Sequence, residues 1–276
     1  MKVIGIDFTS RPTRQKPLTC LQCILEKRVL RAHALIKWHE FEEFERALKA
    51  PGPWIAGIDF PFGQSRKFIT NIRWPQTWSG YVDYADNLGA MAFYNALTAY
   101  RNSRPYGCKE HRRETDRTAR SISPQKLYGV PVARMFFQGA PRLLRAGVTI
   151  PGLQVGDPNR IVVEAYPKIL ACKFGDGNSY KSDNKKKQTE EQYRVRRGIL
   201  RNVIDGGCLA DYGVQVEGLE PLEDELVVDP TGDKLDALLC AIQAAWSWTQ
   251  RKAAFGAPPN LDSLEGWIAD PSLKNE

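Results

Sequence analysis

Three carboxylates follow apolar runs that are typical of buried strands. Asp7 comes after KVIGI, Asp59 after WIAGI, and Glu164 after RIVV. In the parallel part of a sheet, such strand ends open onto the same edge, where α/β folds bind their ligands. We therefore expect these side chains to lie close together and to form a site for chemistry.

The last strong helical pattern adds two acids. At 100° per residue, Asp233, Asp236 and Cys240 share one narrow stripe of the helix, beside a separate packing face of large apolar residues. Four or five carboxylates at one edge would repel one another and raise each other's pKa, a cost that divalent cations remove. Oxygen ligands suit Mg²⁺ or Mn²⁺, and no His is placed to favour zinc.

Each acid also has a purely structural interpretation. Asp7 and Asp59 could each cap a turn after their strands, and Asp233 would gain from the helix dipole in the first turn. Glu164 could pair with Lys168. The joint pattern, with GID ending two strands and DKLD opening a helix, favours a shared metal site.

Positive charge is concentrated in two segments of the chain. The 276 residues carry a net charge of +7, yet outside segments 101–120 and 181–201 the chain is net acidic. Such clustering is typical of proteins that bind polyanions, although two solvated arms would give the same pattern. The predicted nucleic-acid-binding residues are Arg112, Arg113, Arg117, Lys181, Lys185, Lys186 and Lys187.

Hydrophobic periodicity predicts an α/β protein of one domain spanning residues 1–276. The five predicted strands are 2–8, 18–26, 29–38, 54–60 and 160–166, of which the first three form a meander. Helices are predicted at 41–48, 78–100, about 189–203 and 232–252, followed by a tail with a loop and a short docked helix over 253–276. Two insertions are expected, at about 61–159 and 173–230.

Other classes of protein are disfavoured. No uncharged stretch reaches the ~18 residues that a membrane-spanning helix needs, and the start lacks the apolar core of a signal peptide, so we expect a cytoplasmic protein without membrane contact. Cys20 and Cys23 fall in a strand pattern at an offset of three, which places their thiols on opposite faces. They are predicted to be core residues rather than zinc ligands.

Four motifs in order resemble a known family. GIDFTS, GIDFPFG, EAYPKILA and GDKLDALLCA are similar to an uncharacterised domain family described as predicted ribonuclease H-like nucleases. The resemblance implies a ribonuclease H-like fold: a five-stranded mixed sheet, with a three-strand antiparallel meander plus parallel strands and helices on both faces. It also implies catalytic acids at Asp7, Asp59, Asp233 and Asp236, as in Holliday-junction resolvases, whereas Glu164 lies where related folds vary.

These observations together predict a metal-dependent nuclease. Two Mg²⁺ or Mn²⁺ ions would assist hydrolysis of phosphodiester bonds, with Asp7 bridging them and Asp59 and Asp236 each holding one. Asp233 or Glu164 would complete the set of catalytic residues. Two alternatives stay open: a nucleic-acid-binding module that no longer turns over, and a phosphotransferase of the actin and sugar-kinase type, because GIDFTS also resembles the phosphate-binding hairpin of that superfamily.

Overall fold

A single mixed sheet forms the centre of the protein. The computed structural model describes residues 1–273. The sheet has seven strands in the order β5-β6-β4-β1-β2-β3-β7. The strands are β1 (Lys2–Asp7), β2 (Leu18–Glu26), β3 (Val29–Trp38), β4 (Trp54–Asp59), β5 (Val148–Thr149), β6 (Asp157–Glu164) and β7 (Gln215–Glu217).

The topology agrees with the predicted meander and parallel strands, but the strand count is a correction. Strands β1, β2 and β3 pair antiparallel in sequence order, whereas β4 is parallel to β1 and β6 is parallel to β4. The sheet has seven strands rather than the predicted five, because β5 and β7 add one short edge strand on each side. These edge strands hold two and three residues, too few to show an alternating pattern.

Helices cover both faces of the sheet. They are α1 (Phe41–Lys49), α2 (Arg66–Ile72), α3 (Trp78–Leu88), α4 (Ala90–Asn102), α5 (Glu114–Thr118), α6 (Val132–Ala146), α7 (Lys168–Phe174), α8 (Glu190–Ile204), α9 (Leu209–Tyr212), α10 (Glu223–Val228) and α11 (Asp233–Thr249). One buried core lies between the sheet and α7, α8 and α11, and the other lies between the sheet and α1, α3, α4 and α6. None of the described helices is long and apolar enough to cross a membrane.

Two helix predictions need correction. The helix predicted at 78–100 is divided into α3 and α4, because Gly89 adopts φ +76° and ψ 160°, a conformation that no α-helix contains. The last helix ends at Thr249 instead of 252, and the tail contains a 3-10 turn over Pro271–Leu273. The final three residues of the predicted tail lie outside the described residues.

The two neighbouring cysteines of β2 behave as core residues. Cys20 belongs to the core under α1 and α3, and Cys23 to the core under α8 and α11, so that their side chains point to opposite faces. Both thiols are free and buried. Burial raises the pKa of Cys20 to about 12, which keeps this thiol protonated at neutral pH, as expected for a core residue.

Candidate active site

The two GID motifs lie side by side in adjacent strands. In the parallel pair of β1 and β4, Gly5 is opposite Gly57 and Asp7 is opposite Asp59. Because side chains alternate along a strand, each Asp points to the same face as the glycine two positions before it. Both carboxylates therefore leave the sheet on the face that α11 covers.

The glycines explain how α11 comes close enough to join this site. A Cβ atom on Gly5 would lie 1.9 Å from the carbonyl oxygen of Ala237, and one on Gly57 would lie 2.4 Å from that of Cys240. Any larger residue would push the helix away from the sheet. The same motif thus supplies both the acid and the room for the helix that carries the third acid.

Three carboxylates meet at this edge of the sheet. Oxygen atoms of Asp7, Asp59 and Asp236 all lie within 4.8 Å of one another. Asp236 is completely buried, and Asp7 is 7% exposed. Asp233, one helical turn before Asp236, is also buried but lies outside this group of three. The structure thus brings together three of the five predicted acids and places Asp233 beside them.

Burial and mutual repulsion perturb these acids. Burial, followed by the charge of Asp233, holds the pKa of Asp7 well above its ordinary value. Burial and the charge of Asp236 raise the pKa of Asp59 to about 7. Burial also raises the pKa of Asp233. The cluster is therefore destabilised when fully ionised, which is the condition that a bound cation relieves.

Asp236 is held by two neighbouring residues. The hydroxyl of Tyr180 donates to Oδ1 of Asp236 at 2.7 Å, and the ammonium group of Lys181 forms an ion pair with Oδ2. Although burial alone would lower it, the charge of Asp236 keeps the pKa of Lys181 well above its ordinary value. Sequence reasoning missed the role of Tyr180, for which the only signal was an aromatic residue beside the basic run.

Asp7 and Asp59 have unused acceptor atoms. Among residues 1–273, neither side-chain carboxylate accepts a hydrogen bond or forms an ion pair within 4.0 Å. Buried polar groups without partners are rare, and a nearly buried carboxylate without one is costly. A set of three converging carboxylates fits a hard divalent cation that takes oxygen ligands.

A family model for proteins of unknown function, DUF429, matches residues 5–260. The chain belongs to this family. The matched range contains all five predicted acids and both basic segments. No match was found among curated proteins or among solved structures.

Glu164 faces a different partner from the other acids. Its Oε1 and Oε2 accept hydrogen bonds from Arg113 at 2.5 and 2.7 Å, and Oε2 also accepts one from the backbone N–H of Phe62 at 2.8 Å. Burial raises the pKa of Glu164, while Arg113 acts to lower it. Glu164 therefore holds the segment after β4 in place and is not one of the three converging acids.

Arg113 is a correction to the predicted nucleic-acid-binding residues. It is 1% exposed and forms bidentate pairs with both Glu164 and Asp116, so that its guanidinium cannot reach a phosphate in solvent. Its neighbour Arg112 is exposed and has no hydrogen bond or ion pair among the described residues. A pattern of charges along the sequence does not distinguish these two adjacent arginines.

The other predicted cations have different surroundings. Arg117 is exposed and pairs with Glu114 at 2.7 Å. Three lysines form an exposed 3-10 turn, namely Lys185, Lys186 and Lys187. Lys181 is half-buried against the acids, unlike the three exposed lysines that follow it. The surface that remains available to a polyanion is therefore smaller than the sequence indicated.

Proposed function

We propose that this protein is a divalent-metal-dependent nuclease with a ribonuclease H-like fold, which hydrolyses phosphodiester bonds in nucleic acid. The observation that carries the proposal is the convergence of Asp7, Asp59 and Asp236 within 4.8 Å, with the nearly buried Asp7 carboxylate unpartnered. Carboxylate clusters of this kind hold the ions that assist phosphoryl chemistry.

The three converging carboxylates would hold Mg²⁺ or Mn²⁺. When bound, such an ion lowers the pKa of a coordinated water and stabilises negative charge on the phosphate oxygens. A cavity of about 60 Å³, lined by Asp59, Glu164 and Tyr166 among others, has room for water next to Asp59. Hydrolysis joins the water oxygen to phosphorus and breaks the ester P–O bond, and the leaving oxygen takes up a proton.

The charge distribution supports nucleic acid as the substrate. A net charge of +7 favours binding of a polyanion, and exposed cations that could contact phosphates occur in both basic segments. Arg112 and the three lysines at 185–187 are the best placed, because none of these side chains forms an ion pair within the described part of the chain.

A cleavage assay on a panel of substrates tests the proposal. Labelled single-stranded, duplex and branched DNA, RNA, and an RNA·DNA hybrid are incubated with Mn²⁺, Mg²⁺ or EDTA. We expect metal-dependent cleavage by the wild type, and its loss in the variant that carries both Asp7→Asn and Asp236→Asn. Asp224→Asn removes an exposed carboxylate of α10 and serves as the matched control, which should cleave like the wild type.

The same panel separates the alternatives. Salt-sensitive binding without cleavage under any metal condition would contradict the nuclease and support the non-catalytic module. Binding of ATP with Mg²⁺, without any effect on nucleic acid, would instead support the phosphotransferase.

A further inference from the structure

Hydrogen bonds fix the backbone around Lys181. The guanidinium of Arg196 donates to the carbonyl oxygen of Tyr180 at 2.7 Å, and the amide of Gln192 donates to that of Lys181 at 3.2 Å. On the other side, the N–H of Ser182 donates to the carbonyl oxygen of Pro230 at 3.1 Å. Helix α8 and the segment before α11 thus fix the backbone on both sides of the lysine.

The stem of Lys181 fits into a space that a glycine leaves open. Gly232 precedes the first residue of α11 and adopts φ +74°, in the left-handed region. A Cβ atom at this position would lie 2.9 Å from both Cβ and Cδ of Lys181. The start of the acid-bearing helix is therefore shaped around this side chain.

The ammonium group is a resident positive charge of the acid cluster. It is ion-paired with Asp236, and its charge also acts on Asp7, Asp59 and Asp233. When ionised, the three converging carboxylates and the ammonium group carry a net charge of −2, which one divalent ion balances. A second divalent ion would have to displace an ammonium group whose backbone is fixed, or share Asp236 with it at close range and with strong repulsion.

We propose that the ammonium group of Lys181 serves as the second cation of this site, so that the carboxylates hold one divalent ion instead of the two predicted from the sequence. This inference rests on the proposed nuclease function for its chemical meaning. A lysine carries three N–H donors and a compact charge, which can bind a non-bridging phosphate oxygen. The ion alone would then activate water, while Lys181 would help to hold the phosphate.

The number of bound ions tests this inference directly. Isothermal titration with Mn²⁺ of the metal-free protein should give one site per chain, above the background set by Asp7→Asn. Lys181→Met should give two sites, because the place and the carboxylate oxygen that the ammonium occupied become available. Lys181→Arg keeps the charge and should still give one site.

Lys252→Met is the matched control, since Lys252 is an exposed lysine outside the proposed binding residues, with no ion pair in the part of the chain that the structure describes. It should bind one ion like the wild type. Two ions in the wild type would overturn the inference, and so would a single ion in a Lys181→Met protein whose circular dichroism matches the wild type. If Lys181→Met does not fold, the count for the wild type alone still decides.

Cleavage measured on the same samples keeps the two proposals separate. One bound ion without any cleavage would refute the nuclease and leave the role of Lys181 as resident cation intact. Cleavage by a wild-type protein that holds two ions would support the nuclease and overturn the inference about Lys181.

Discussion

Replacing Arg113 by Ala should strongly destabilise the protein. The guanidinium is 1% exposed and makes five hydrogen bonds, to Asp116, Glu164 and the carbonyl oxygen of Glu265. Its removal leaves two buried carboxylates without their counter-ion, and breaking a buried ion pair in this way costs about 3–5 kcal/mol. Domains of comparable size lose roughly 2–4 °C in Tm per kcal/mol, so Tm should fall by about 10 °C.

Arg112→Ala is the matched control for this measurement. It removes the same side chain one position earlier, where the guanidinium is exposed and has no partner in the part of the chain that the structure describes. Its free energy of unfolding should change by no more than about 0.5 kcal/mol. Thermal and urea unfolding of the two variants and the wild type, followed by circular dichroism, gives the comparison.

The stability lost in Arg113→Ala should depend on pH, which provides a second check. Burial raises the pKa of Glu164 and Arg113 lowers it, so in Arg113→Ala this pKa should rise further. A carboxyl with a raised pKa binds more protons in the folded than in the unfolded state, and its contribution to stability is lost as pH rises through the raised value. Relative to the wild type, Arg113→Ala should therefore lose more free energy of unfolding at pH 8 than at pH 5. Two results would refute this reasoning. One is an equal loss of unfolding free energy in Arg112→Ala and Arg113→Ala. The other is a difference in stability between Arg113→Ala and the wild type that does not change with pH.

Three further predictions concern the acid cluster. Mn²⁺ at 100 times its Kd should stabilise the wild type by about 2.7 kcal/mol, and a similar rise in Tm for Asp7→Asn would argue against metal binding by these acids. In EDTA, stability should decrease as pH rises from about 4 to 7, because the pKa of Asp59 is raised to about 7 and each pKa unit is worth about 1.4 kcal/mol; Asp59→Asn should flatten that melting profile. Gly232→Ala should cost about 1–2 kcal/mol in urea unfolding, since its φ is +74° and the new Cβ would collide with Lys181; an unchanged midpoint would count against the tight fit.

The central part of the fold could be predicted because its signals are local. Apolar runs that end in an acid identified β1 and β4, and the alternation in β3 identified an antiparallel strand. The edge strands β5 and β7 are held by pairing with neighbours that are distant in sequence, so no local pattern reveals them. The division between α3 and α4 was missed because a single glycine inside a helical pattern is compatible with either outcome.

The acids of the site were predictable for a related reason, whereas their partners were not. Asp7 and Asp59 end apolar strands, and parallel pairing must bring such ends together. Lys181 and Arg113 looked like ordinary members of basic runs, and only the folded chain shows that each reaches a buried carboxylate. Net charge counts a side chain equally whether it lies in water or in the core, so it cannot show which cations are paired with buried carboxylates.

The site can form only after α11 has packed closely against β1. Asp7 and Asp59 leave the ribosome well before Asp236, which lies on α11, and this helix must dock on Gly5 and Gly57 before the third carboxylate is in place. A nascent chain that still lacks this helix has only two of the three acids. The proposed site is therefore complete only after α11 has been synthesised and has docked on β1 and β4.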